Sequence, residues 1–130
     1  MKFMLMMNAP RGTGDWSVMK WAPEELKAHI EFMKNLNVAL RKEGALVGAE
    51  GLAMPSEARI VRAKPDGKPE VTDGPFAEAK EFLAGFWLVE VTSAEDAYAI
   101  AARASLAPGP GGKPLFIPIE VRQVMSAPPT

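Results

Sequence analysis

The chain has 130 residues, a length that suits one domain with a modest hydrophobic core. Hydrophobic residues make up 48% and charged residues 24%, as in an ordinary soluble globular protein. The formal net charge of −1 gives no electrostatic attraction to nucleic acid or to an anionic membrane, so neither is an expected partner. The absence of cysteine excludes disulfides, a thiol nucleophile and a thiolate metal site.

The N-terminal segment, MKFMLMMNAP, is too short for a signal peptide and lacks a small-residue cleavage site. No apolar run approaches the length needed to span a membrane. We therefore expect a cytoplasmic location.

The first apolar run, Phe3–Met7, is uninterrupted, which predicts a central strand covered on both faces. The glycine-containing segment Arg11–Trp21 predicts a loop that carries Trp16 and Trp21. Tryptophans in a loop either plug the edge of the core or line a cleft or an interface, and both interpretations stay open.

The segment Pro23–Glu43 predicts a long amphipathic helix that begins at a proline and ends before Gly44. Its apolar positions recur every three or four residues. They are Leu26, Ile30, Met33, Leu36 (or Asn37) and Leu40.

His29 on this helix is the only histidine of the chain, and it titrates near neutral pH when unperturbed. It either caps the edge of the core or acts as a general acid or base in a cleft. No HExxH pattern or other metal-ligand cluster accompanies it, so we expect no metal and no cofactor.

The middle of the chain predicts a strand at Ala45–Leu52, whose glycines suit close approach of a backbone or ligand. Ala58–Ala63, the turn Lys64–Lys68 and Pro69–Thr72 then predict a polar β-hairpin, which delivers Asp73 at its end.

The segment Ala77–Ala84 predicts a short helix, and Gly85–Val91 predicts a second apolar core strand. Ser93 caps a predicted helix over Ala94–Ala104. A Pro/Gly loop over residues 106–114 follows.

The last predicted element is the strand Phe116–Met125, which Pro118 places at an edge of the sheet. The domain therefore occupies residues 1–125, and residues 126–130 form a tail.

Asp73 precedes Gly74-Pro75-Phe76, a stiff corner in which proline fixes its own φ angle and restricts the residue before it. A carboxylate held on such a corner is a candidate reactive or ligand-binding group. Alternatively, it accepts hydrogen bonds from the backbone of its own turn.

Other candidate binding residues are aromatic or cationic. Phe76, Trp16, Trp21 and Phe86 either wall a small-molecule pocket or fill the core. Three arginines either bind an anionic group or are solvated at the surface; they are Arg11, Arg59 and Arg62. No serine nucleophile motif or phosphate-binding loop occurs.

The sequence DGPFAEAKE at residues 73–81, followed by Gly85-Phe86, resembles the signature of the DGPF family, a branch of the YCII-related proteins. The resemblance extends from Phe3–Met7 to residues 119–122. It implies that His29 pairs with Asp73 in a shared site, and it makes Glu78 and Lys80, which belong to the motif, worth testing.

The predicted order is β–α–β–(hairpin)–β–α–β, which indicates a ferredoxin-like α+β domain with both helices on one face of an antiparallel sheet. The other face of the sheet also needs cover. Packing of the two sheets of a homodimer, as in a dimeric α+β barrel, supplies it, and the resemblance implies the same arrangement.

Three functions are compatible with these residues. The first is an enzyme acting on a small molecule, in which His29 and Asp73 form an acid–base pair. The second is a binding module in which the same cleft only holds a metabolite. The third is a regulatory accessory domain, since relatives of the family are attached to sigma-type transcription factors.

Overall fold

The structure, a computed structural model, describes residues 1–10, 21–74 and 80–125. It contains six strands, β1 to β6, and two helices, α1 and α2. The strands are Lys2–Pro10, Leu46–Gly51, Arg59–Ala63, Pro69–Asp73, Glu81–Glu90 and Ile119–Gln123, and the helices are Pro23–Lys42 and Ala94–Ser105. No helix in the described ranges is long and apolar enough to cross a membrane.

Four strands form one antiparallel sheet in the order β2-β5-β1-β6. The two most apolar strands, β1 and β5, lie at its centre, as their sequences predict. Strand β6, which Pro118 immediately precedes, lies at an edge of the sheet. The missing backbone N–H of a proline is tolerated at such an edge.

The remaining strands, β3 and β4, form a separate two-stranded hairpin between β2 and β5 in the chain. The predicted turn is present, and Gly67 adopts a φ of 86° there. Val61 and Val71 face each other across the hairpin, with 59% and 57% of their surfaces exposed.

The core lies between the sheet and the two helices. Alternate residues of β1, such as Leu5, share one face with Trp87 and Val89 of β5, and these pack against Leu36 and Leu40 of α1. Because side chains alternate along a strand, the opposite face carries Met4, Met6, Phe86 and Leu88. These four are half-buried, and neither helix packs on them.

The inward face of α1 differs from the predicted one at Ile30, which was expected inside but is 43% exposed. His29 points inward with Met33 instead. Leu36 and Leu40 are buried as predicted and fix the orientation of the helix, because they pack on the most apolar part of the sheet.

One side-chain contact caps the start of α2, and another joins the ends of the two helices. Ser93 caps α2 by accepting a hydrogen bond from the backbone N–H of Asp96, as predicted. Arg103 near the end of α2 donates two hydrogen bonds of 3.0 Å to Glu43 at the end of α1. This bidentate pair holds the pKa of the Glu43 carboxyl below its usual range.

Two sequence-based predictions are wrong. Within the predicted helix Ala77–Ala84, residues 81–84 belong to β5, because pairing with β1 outweighs the helical propensity of a short segment; residues 77–79 lie outside the described part. The last strand begins at Ile119 rather than Phe116, since Phe116 has a φ of 51° and is 68% exposed.

Leu40 has no exposed surface and packs at the centre of the core, so replacing it should leave a cavity. We expect Leu40→Ala to lower the free energy of unfolding by ~2–5 kcal/mol in urea titrations. Val38→Ala, at an exposed position two residues earlier, should change it by about 0.5 kcal/mol or less. Equal effects of the two substitutions would contradict this placement of the core.

Candidate functional site

A cavity of about 350 Å³ lies between α1 and the β2–β5–β1 part of the sheet. Helix α1 contributes His29, Met33 and Asn37 to its wall. Because these residues are spaced four apart, they share one face of the helix. The remaining described lining residues are Met7, Ala9, Trp21, Ala49, Glu50, Gly51, Leu52, Met54, Phe82, Ala84, Gly85, Phe86, Trp87 and Leu115.

Small residues in three strands leave the space that the cavity occupies. Ala9, Ala49, Gly51 and Gly85 line it from β1, β2 and β5. A Cβ on Gly85 would lie 2.9 Å from the carbonyl oxygen of Glu50, so this position requires glycine. By contrast, a Cβ on Gly51 would meet nothing within 4 Å.

A β-bulge in β5 lies beside the cavity. The register of β5 against β1 shifts at Ala84, which has no partner residue on β1. The shift places both Phe82 and Gly85 on the cavity face of the sheet, with Leu83 on the other. The bulge therefore brings both Phe82 and Gly85 of β5 to the cavity wall.

His29 contacts the loop after α2. Its Nδ1 atom lies 3.0 Å from the carbonyl oxygen of Pro108. A carbonyl oxygen only accepts, so Nδ1 carries the proton, and neutral His29 keeps Nε2 as an acceptor. The ring also meets Trp21 edge to face, with their centroids 5.3 Å apart.

Asn37 contacts the core tryptophan. The indole Nε1 of Trp87 donates a hydrogen bond of 2.8 Å to Oδ1 of Asn37. Indole N–H is a donor only, so the orientation of the Asn37 amide is determined and its NH₂ group remains available.

The Pro/Gly loop that accepts from His29 is held a second time by Glu25, one turn earlier on α1. Its carboxylate accepts a 2.6 Å hydrogen bond from the backbone N–H of Gly111 and a 2.9 Å bond from that of Ala22. Both hydrogen bonds lower the pKa of the Glu25 carboxyl, and the bond from Gly111 has the larger effect. Glu25 and His29 together therefore fasten the loop that brings Leu115 to the cavity wall.

The structure brings some predicted site residues together and separates others. Trp21, His29 and Phe86 line the cavity, although the strand register directs the Phe86 side chain to the opposite face of the sheet. Phe76 and Trp16 lie outside the described residues.

Asp73 ends β4, where its carboxylate is 96% exposed and lies 3.8 Å from Arg59. It does not line the cavity, and no hydrogen bond or ion pair joins it to His29 in the described part of the chain. The backbone N–H of Gly74 bonds to Ala58, and a Cβ on Gly74 would lie 3.2 Å from Ile60. Gly74 therefore packs closely at the base of the hairpin, while Pro75 and Phe76, the rest of the predicted corner, lie outside the described residues.

Sequence reasoning missed Glu25, Asn37 and Leu115 as cavity residues or their supports. A signal existed for Asn37, since it lies eight residues after His29 and therefore two turns along the same helix face. No comparable signal links Glu25 to Gly111, because that contact joins residues 86 apart in the chain.

The described residues offer no cluster of three or more histidine, aspartate or glutamate side chains able to hold a metal ion. The cavity has mostly apolar walls, in which His29 and Asn37 are side chains able to form hydrogen bonds.

Acid should release the loop from Glu25. Because its folded-state pKa is lowered, the stabilisation is present above the unfolded pKa of about 4.3 and is lost as the pH falls through the folded value. We expect the amide resonance of Gly111 to titrate with a midpoint below about 4.3 in NMR spectra, and to lose this titration in Glu25→Gln. A midpoint at or above 4.3 would show that these bonds do not form in solution.

Comparison with known proteins gives two findings. Over 79 residues, 59% of this chain, the sequence is 34% identical to an uncharacterised protein of Rhizobium meliloti (strain 1021). The match spans only 61% of that protein's length. The model of the YCII-related domain matches residues 1–109, which include α1, the cavity strands and Asp73. The chain therefore belongs to the YCII-related family.

Proposed function

We propose that this protein is an enzyme that acts on a small molecule bound in the cavity, with His29 as the general acid or base. The observation that carries this proposal is the hydrogen bond from His29 Nδ1 to Pro108, because it leaves Nε2 of this cavity-lining residue available to a ligand. An imidazole can accept a proton at one ring nitrogen and donate one from the other, which suits a general acid or base.

The shape and lining of the cavity support a small molecule as the ligand. Its volume of about 350 Å³ falls at the lower end of the ~300–1,000 Å³ found for small-molecule sites. It has mostly apolar walls and a few polar groups, His29 and Asn37 among them, as such sites usually have.

We further propose Asp73 as the acidic partner of His29 in the complex with ligand. The hairpin that carries it is inserted between β2 and β5, both of which border the cavity. Movement of the hairpin toward the cavity would bring the carboxylate of Asp73 to the bound molecule, and apo sites often tighten only in the complex. Separation of Asp73 from Arg59 costs little, because exposed ion pairs contribute only ~0–1 kcal/mol.

A screen of small molecules by ligand-observed NMR tests the site, with a cavity-filling variant as its control. Gly51→Val should reduce binding at least tenfold, because the register places Gly51 on the face of Met7, and an added side chain enters open space. Gly48→Val is the matched substitution on the opposite, helix-free face of the same strand and should preserve binding. Its mass is checked by light scattering, because a second copy is proposed below to pack on that face. Compounds that bind Gly51→Val as tightly as the natural chain would place the ligand elsewhere.

Compounds found in this screen then test the two acid–base residues separately. His29→Ala should abolish conversion of the compound that is turned over, with folding intact by circular dichroism. Asp73→Asn should lower conversion as well; unchanged conversion would remove Asp73 from the mechanism while leaving the role of His29 in place.

The sheet supports a second proposal, about assembly. The element order and the strand order β2-β5-β1-β6 are those of a ferredoxin-like domain, and we propose that its helix-free face packs on a second copy to form a dimeric α+β barrel. Met6 and Phe86 stand near the centre of this face, while Glu50, Glu120 and Arg122 stand toward its edges. An apolar centre with charges of both signs around it is self-complementary in a two-fold dimer.

Light scattering after size-exclusion chromatography measures this assembly directly. We expect the natural chain to have twice the mass of one subunit, and Met6→Glu to have the mass of one, because a carboxylate would be buried without a partner in the seam. Val38→Glu, on the exposed side of α1, should stay dimeric. A natural chain that runs as a single subunit at tens of micromolar concentration would refute the dimer.

A further inference from the structure

Helix α1 contributes two hydrogen-bonding side chains to the cavity, and in each of them one polar atom already forms a hydrogen bond within the protein. His29 uses Nδ1 on the carbonyl of Pro108, and Asn37 uses Oδ1 on the indole N–H of Trp87. Each partner can play only one role, since a carbonyl only accepts and an indole N–H only donates. The character of the atoms left for a ligand is thereby determined.

At His29 the remaining atom is Nε2, which accepts a hydrogen bond when the ring is neutral. At Asn37 the remaining group is the NH₂, which donates. The described residues contain no buried side-chain nitrogen or oxygen without a hydrogen-bond partner, so both groups are open to the solvent or to a ligand. The cavity thus offers one acceptor and one donor.

These two groups are separated by an apolar stretch. They lie eight residues apart on α1, which is about 12 Å along the helix axis. Met33 lies between them on the same face, and the glycine and alanine residues of the strands lie opposite. A molecule that reaches both polar groups therefore needs an apolar body.

The charge around the cavity disfavours an anion. Among the described lining residues no lysine or arginine occurs, and the side chain of the one acidic residue, Glu50, points to the opposite face of the sheet. A carboxylate or phosphate on the ligand would lose its hydration without gaining a cationic partner.

We propose that the cavity binds an uncharged, largely apolar molecule with a hydrogen-bond donor, such as a hydroxyl, at its His29 end and an acceptor, such as a ketone, at its Asn37 end. This inference rests on the proposed function, because it assumes that the cavity is the ligand site. It adds the class of molecule and the direction in which that molecule lies along α1.

Four related naphthalenes test this class by isothermal titration calorimetry at pH 7.5. 6-Hydroxy-2-acetylnaphthalene carries both polar groups, 2-acetylnaphthalene lacks the donor, and 2-naphthol lacks the acceptor. 6-Hydroxy-2-naphthoate replaces the ketone with an anion. We expect the first to bind about two- to tenfold more tightly than either singly substituted probe, because one neutral hydrogen bond contributes an affinity difference of that size. The naphthoate should bind most weakly.

Variants that keep the structural half of each side chain assign the two ends. In His29→Asn the amide nitrogen and the original Nδ1 are both two bonds from Cβ. The variant therefore keeps a donor for the carbonyl of Pro108 but loses the acceptor at Nε2. The advantage of the hydroxyketone over 2-acetylnaphthalene should then vanish, whereas His29→Gln, which keeps an acceptor at the distance of Nε2, should restore part of it.

Asn37→Asp keeps an oxygen for Trp87 and replaces the NH₂ donor with a second acceptor. The hydroxyketone should lose its advantage over 2-naphthol in this variant, while its advantage over 2-acetylnaphthalene persists. Loss of both advantages in both variants would show that the side chains act only through the structure of the wall.

Equal affinities for the four probes, or tightest binding of the naphthoate, would overturn the inference. The inference is also overturned if none of the four probes binds while other compounds from the screen bind and Gly51→Val blocks their binding. In that case the cavity would still be the ligand site. If no compound at all shows binding that Gly51→Val removes, the proposed function fails and this inference fails with it.

Discussion

The hydrogen bond between His29 and Pro108 is the constraint on which the site depends. It joins α1 to a loop 79 residues later in the chain, and it makes His29 part of the wall. Because the partner is a carbonyl, the bond also selects the tautomer of the ring, and through it the character of Nε2. One contact thus sets both the position and the chemistry of the candidate acid–base group, as a carboxylate does in many active sites.

The loop itself is well suited to this role. Gly109 lies under Leu115, whose side chain would clash with a Cβ at that position, and Gly111 and Gly112 adopt positive φ angles. The loop therefore folds back on itself, with the N–H of Leu115 bonded to Ala107. Its carbonyl and N–H groups can face α1 because its own side chains demand little space. Rigid support of this kind is what keeps a catalytic side chain in place without a large core.

Much of the fold follows from the periodicity of the sequence, whereas the site follows from it only in part. Uninterrupted apolar runs identified the central strands β1 and β5, and Ser93 and Gly44 marked helix ends, because these signals are local. The start of β5 was wrong because the segment before Gly85 has helical residues, and its partner strand is more than 70 positions away. The contacts of Asn37 with Trp87 and of Glu25 with Gly111 join distant residues, so no spacing rule reveals them.

The β3–β4 hairpin is related to the cavity by its position in the chain, between β2 and β5. An isolated pair of strands is marginally stable in water, and here two valines face the solvent across it. Met54 precedes the hairpin by five residues and Phe82 lies in the strand that follows it, and both line the cavity, so the hairpin is inserted between two cavity-lining segments. The proposal that Asp73 reaches a bound molecule depends on this insertion, because in the structure the carboxylate of Asp73 is exposed and lies beside Arg59.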